Sequence, residues 1–176
     1  TMDEEGTPMS RPNNMGPQID PRETSKVIEF NDIGALETAL SARDVAVVLA
    51  EPVMTNIGII HPKPGFHDAL RELTRKYGTY LIIDETHTIS TGPGGYTASH
   101  GLQPDFLTLG KPLAGGVPAA IYGFTEEVSQ AFTAKLSVED SDVGGIGGTL
   151  SGNALSIAAM KATLQNVLTE EFYLKA

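Results

Sequence analysis

Cysteine is absent from this 176-residue sequence, which excludes disulfides and thiolate metal centres. A reducing cytoplasm is compatible with that absence and is the expected location. Positive charge is scarce: 12 Lys and Arg stand against 22 Asp and Glu, a formal net charge of −10. Such a balance argues against a nucleic-acid partner and against an anionic membrane surface. No apolar run approaches the roughly 18–20 residues that span a bilayer, and no charged-then-apolar signal pattern opens the chain. His61, His67 and His100 lack acidic partners at ligand spacing, so no metal site is expected. What is present, 40% hydrophobic and 19% charged residues, suits one globular domain with a sizeable core. Neither an internal repeat nor a second core is visible.

Residues 1–25 carry Pro8, Pro12, Pro17 and Pro21 with Gly6, Gly16, Asn13 and Asn14 between them, the composition of a loop or linker. Regular structure is expected over residues 26–176. Lys26-Val27-Ile28-Glu29-Phe30 reads as a short strand, and Asn31 or Asp32 can cap a helix whose Ile33, Leu36 and Leu40 share a face. The run 45–50 is apolar throughout, as in a parallel strand covered on both sides. Pro64 can open a helix with the stripe Phe66, Ala69, Leu70, Leu73, Tyr77, closed by Gly78. Tyr80–Asp84 then returns as a buried strand. Strand, helix, strand predicts a doubly wound α/β sheet. The run 119–124 follows Lys111 too soon for a crossover of about a dozen residues, so it should be antiparallel in an otherwise parallel sheet. Thr125 caps a further helix to about Lys135. A Gly-rich loop (Gly144, Gly145, Gly147, Gly148) precedes an Ala-rich helix from about Asn153 toward Phe172.

Asp84 ends the apolar run Tyr80-Leu81-Ile82-Ile83, and Lys111 follows Phe106-Leu107-Thr108-Leu109-Gly110. A carboxylate and an amine at the ends of buried strands are costly to desolvate without partners. Ligands in open α/β sheets bind outside the carboxyl ends of the strands. Pyridoxal phosphate (PLP) satisfies both groups: its aldehyde condenses with a lysine, and its ring nitrogen needs an anion to stay protonated. The structural alternatives are an aspartate that caps the next segment and a solvated lysine.

The words Ile83-Asp84-Glu85-Thr86 and Thr108-Leu109-Gly110-Lys111-Pro112-Leu113-Ala114-Gly115-Gly116-Val117-Pro118 resemble the class III aminotransferases of PLP fold type I, nearest the glutamate-1-semialdehyde aminomutase branch. The resemblance implies that Lys111 binds PLP covalently and then carries a proton between the substrate carbon and C4′. Asp84 would hold the pyridine nitrogen protonated and make the ring an electron sink. Thr86, placed on the same face by strand alternation, would pack on the ring. His87 occupies the position that in many aminotransferases binds the ring hydroxyl and in the aminomutase branch is commonly Met; a histidine bonded to backbone is the alternative. Asn56, in Glu51-Pro52-Val53-Met54-Thr55-Asn56-Ile57-Gly58, matches an asparagine that reaches the same hydroxyl, while Glu51 anchors its loop. Gly147-Gly148-Thr149-Leu150-Ser151-Gly152-Asn153 matches the word whose Gly148 and Thr149 would reach the phosphate of a neighbouring subunit. A plain helix cap at Ser151 or Asn153 is compatible with that role.

From Glu29 onward the resemblance covers nearly the whole chain and implies part of a fold type I large domain acting in a homodimer with shared sites. The Gly-Ser/Thr-Gly phosphate loop, the stacking aromatic and the small domain of that family are not found, and the chain begins at Thr1. A piece of a longer enzyme, inactive alone, is therefore expected. The expected activity is transfer of an amino group between a small-molecule donor and acceptor, an amino acid or amine and an oxo acid or aldehyde. Two features favour it over a glutamate-1-semialdehyde-type 2,1-aminomutase: His87, and residues 3–12, which lack that branch's Gly/Ser-rich gating loop. A non-catalytic, dimer-forming α/β module without cofactor is the alternative from another class.

Overall fold

In the computed structural model, residues 4–6, 20–134 and 148–175 are described. The Gly144, Gly145 and Gly147 positions, Lys135, Pro8, Pro12 and Pro17 lie outside them. Asp20 caps the single turn α1 (Pro21–Thr24). Asp32 caps α2 (Ile33–Leu40) by accepting from the Ala35 amide at 2.8 Å. After β1 (Val47–Ala50) comes α3 (Phe66–Tyr77), then β2 (Tyr80–Asp84), α4 (Gly95–His100) and β3 (Phe106–Leu109). Next are β4 (Ile121–Phe124), α5 (Glu126–Thr133), α6 (Ala154–Asn166) and α7 (Glu170–Tyr173). Short 3-10 turns at Thr88–Thr91 and Lys111–Ala114 follow β2 and β3.

The sheet order is β1-β2-β3-β4. β1, β2 and β3 are parallel, and β4 runs antiparallel to β3, as the short connection after Lys111 requires. Strand alternation turns Leu81 and Ile83 of β2 toward α2 and α3. There they close a core with Leu36, Leu40, Phe66, Leu70 and Leu73. Tyr80, Ile82 and Asp84 alternate onto the other face. Arg71 of α3 pairs with Asp105 at 2.8 Å, and the same Asp105 Oδ2 accepts the Leu81 amide at 2.7 Å. One carboxylate thus ties α3, β2 and the start of β3 together.

Five local expectations fail, the first being that residues 1–25 are all loop, since Asp20 caps a helical turn at Pro21–Thr24. Residues 26–30 form no strand, because no ladder partner lies alongside them among the described residues; Phe30 instead packs on Phe66 with ring centroids 4.7 Å apart. The run 45–50 yields β1 only from Val47, and the strand is not covered on both sides, since Leu49 is 67% exposed. α3 is opened not by Pro64 but by Gly65, whose φ of 82° no proline can adopt. The Ala-rich helix stops at Asn166: the Val167 and Leu168 amides both turn back to Thr163 O at 2.9 Å, and Thr169 caps a separate α7. A side chain that caps its own downstream amides competes with continuing the helix.

Candidate functional site

The parallel ladder brings Asp84 and Lys111 to one end of the sheet. Asp84 is the last residue of β2 and stands opposite Thr108 of β3; Lys111 leaves β3 three residues later. The Glu85 amide extends the ladder by one bond to Thr108 O at 2.9 Å. β2 has ended there, so Thr86 is placed by a turn and not by strand alternation. Its amide donates to Asp84 Oδ1 at 2.8 Å. That bond uses one carboxylate oxygen, and Oδ2 accepts none among the described residues. Asp84 therefore shapes the turn and keeps acceptor capacity in reserve.

Thr86 lies against the backbone just before Lys111. A Cβ added at Gly110 would come within 3.3 Å of Thr86 Cγ2, so a side chain at position 110 would press the two strand ends apart. One residue further, His87 Nε2 contacts Lys111 Nζ. Asp84, Thr86, His87 and Lys111 are thus one group, assembled by consecutive cross-strand neighbours.

Lys111 has a φ of +42°, the left-handed region that costs an L-residue roughly 1–2 kcal/mol. Such strain persists only where the surroundings fix it. Here Leu113 and Ala114, 1% and 3% exposed, plug the 3-10 turn into the interior. α6 packs against this turn, and its Ser156 Oγ donates to Pro118 O at 3.2 Å. An exposed amine is carried on an immobilised backbone.

Glu85 is the residue that sequence reasoning passed over. Its carboxylate is fully buried and accepts from Thr88 Oγ1 at 2.5 Å, from the Tyr96 amide at 3.1 Å and from the Thr97 amide. The last two are free donors of the first turn of α4. A Cβ on Gly95 (φ +68°) would fall 2.7 Å from Glu85 Oε2, so the approach needs glycine. The signal was present as a glutamate directly after Asp84 with Gly94-Gly95 downstream. Glu85→Ala would strand three buried donors. We expect a loss of about 3–5 kcal/mol in folding stability, since each orphaned group costs roughly 1–3 kcal/mol. The urea midpoint of the full-length protein checks it.

The remaining expected residues stand apart. Asn56 is exposed in a loop bracketed by the Met54–Ile60 bridge, and no hydrogen bond among the described residues joins it to the group. Glu51 accepts from Thr55 Oγ1 at 2.6 Å, the anchoring role expected of it. Gly148 and Thr149 open a turn closed by Ser151 N to Gly148 O at 2.9 Å, with Asn153, not Ser151, capping α6. Thr149 lines a groove of about 640 Å³ with Pro118, Ala120 and Ser156, whose walls include neither Asp84 nor Lys111. Among the described residues no group of His, Asp and Glu could hold a metal, and no helix is long and apolar enough to cross a membrane.

This geometry fits PLP: an amine on a fixed backbone, a carboxylate oxygen in reserve one strand away, and a close-packed threonine between them. Comparison with known proteins points the same way. The family model for class-III aminotransferases matches residues 9–176. A glutamate-1-semialdehyde 2,1-aminomutase of Neisseria meningitidis is 37% identical over 167 residues, 92% of this chain and 37% of that protein. A solved glutamate-1-semialdehyde-aminomutase from Pseudomonas aeruginosa PAO1, in complex with PMP, superposes with a TM-score of 0.85 at 47% identity, over 97% of this chain and 38% of that one. An omega-transaminase from Sphaerobacter thermophilus gives a TM-score of 0.77 at 31% identity, over 96% and 38%. The chain spans well under half the length of these relatives.

Proposed function

Since the chain belongs to the class-III aminotransferase family, we propose that it carries the cofactor-attachment part of a PLP-dependent aminotransferase, which moves an amino group between an amino acid or amine and an oxo acid or aldehyde. The observation that carries this reading is the ladder-set pair of Asp84 at the end of β2 and Lys111 just beyond β3. Bound PLP supplies an electron-accepting ring that stabilises negative charge on the carbon beside the transferred nitrogen. Lys111 Nζ provides the covalent anchor and, once displaced by substrate, moves the proton at that carbon. Asp84 would hold the ring N–H through its second oxygen while Oδ1 stays with the Thr86 amide. Thr86 packs beside the ring, and Asn56 meets its hydroxyl. Gly148 and Thr149 serve the phosphate of a neighbouring subunit, in keeping with their separation from this chain's own Asp84 and Lys111. The acting form is then a homodimer.

The test is borohydride reduction of the cofactor-loaded full-length protein followed by peptide mapping. A pyridoxyl group on Lys111 is expected; label on Lys63 or Lys76 instead overturns the assignment. A second reading, glutamate-1-semialdehyde-type 2,1-aminomutase, is favoured by the aminomutase relatives. His87 argues for transamination, because the aminomutase branch commonly has Met there. The two differ in stoichiometry. An aminotransferase releases one oxo product for each amine consumed, and an aminomutase rearranges a single substrate.

A further inference from the structure

His87 has a place in the group that cofactor attachment alone does not explain. An inference about it deepens the reading of Lys111 as the attachment residue and rests on that reading. An ammonium ion has no lone pair, so Lys111 must shed a proton before its nitrogen can bond to an aldehyde carbon. Among the described residues the Lys111 amine has one hydrogen-bond partner, His87 Nε2. Neither nearby carboxylate bonds the amine among the described residues. Asp84 Oδ1 holds the Thr86 amide, and Glu85 is enclosed by Thr88, Tyr96 and Thr97.

The backbone that carries the imidazole is held as firmly as the one that carries the amine. His87 caps the Thr88–Thr91 turn, where its carbonyl accepts from Ser90 Oγ at 2.8 Å and Ser90 N at 3.3 Å. Thr88, the next residue, is tied to the buried Glu85 at 2.5 Å. Glu85 in turn grips α4, so the backbone at His87 is fixed from both sides. The opposing Lys111 is fixed by Leu113 and Ala114 beneath it. Two rigid turns therefore hold base and amine together without help from a ligand.

We propose that His87 is the proton acceptor that activates Lys111. The N–H bond at Nζ breaks, its electron pair remains on Nζ as the attacking lone pair, and the proton bonds to Nε2 through the imidazole lone pair. This requires the tautomer with hydrogen on Nδ1 and Nε2 bare.

Competitive acetylation tests it without involving PLP. The full-length protein in its cofactor-free form receives a trace of acetic anhydride at fixed pH. Labelling of Lys111 is then quantified by mass spectrometry against Lys63, Lys76 and Lys161 as internal standards. Relative labelling of Lys111 is expected to fall about tenfold or more in both His87→Phe and His87→Gln, with the standards unchanged. Undiminished labelling in His87→Phe overturns the proposal. So does full labelling in His87→Gln, because a carboxamide can orient the amine but takes no proton. A measurement on the unaltered protein guards against misfolded variants: ring 15N NMR is expected to show hydrogen on Nδ1 of His87, and a neutral ring with hydrogen on Nε2 instead overturns the proposal. Borohydride label on a lysine other than Lys111 would count against the cofactor reading alone; label on Lys111 with acetylation indifferent to His87 would count against this inference alone.

Discussion

Lys111→Ala in the full-length protein is expected to abolish turnover, lowering kcat by about four orders of magnitude or more. On the proposed roles the amine has two duties, and both would vanish together. Removing a positioned proton carrier costs roughly 10²–10⁴-fold, and removing the nucleophile deletes the covalent route altogether. Folding should survive, because Leu113 and Ala114 rather than the Lys111 side chain anchor the turn. The variant should therefore keep its secondary structure and release PLP on gel filtration, where the unaltered protein retains it. A kcat within tenfold of normal would remove Lys111 from the chemistry.

Asp84→Asn is the second large effect. The substitution is nearly isosteric, and the carboxamide oxygen can still accept the Thr86 amide now held at 2.8 Å. Only the negative charge is lost, and with it the force that keeps the ring nitrogen protonated. Removing one preorganised charge-stabilising group costs about 10²–10³ in kcat, or roughly 3–4 kcal/mol. The expected pattern is a kcat lowered on that scale with cofactor still attached at Lys111. Near-normal turnover would show that Asp84 acts only as the turn-forming residue its Oδ1 bond also makes it.

Much of this arrangement was legible from residues alone, for identifiable reasons. β2 was delimited correctly because an apolar run that ends in a carboxylate marks both a buried strand and its exit. The reversed β4 followed from chain length, which is a geometric constraint and not a propensity. The segment 26–30 misled because its β-branched and aromatic residues report apolar surface to bury, not a neighbour to pair with. Glu85 was passed over for a different reason, although Gly94-Gly95 downstream hinted at its role. Its partners are backbone amides of Tyr96 and Thr97, and a sequence does not display where amides will point. The contact of His87 with Lys111 depends on two turns lying side by side, which only the folded ladder sets.

The pairing of β2 with β3 also bears on how such a chain can diverge. The spacing of Asp84 and Lys111 is set by backbone register, so the stretch joining the two strands does not act as their ruler. Segments with that freedom accept insertions and new side chains most readily. Within it Glu85 staples the first part, through Thr97, onto the strand end, while the portion beyond Thr97 is tied to α3, where Arg71 donates to Gln103 O at 3.2 Å, and not to the reactive pair. Lineages can therefore lengthen or recolour that portion while inheriting the same chemistry unaltered.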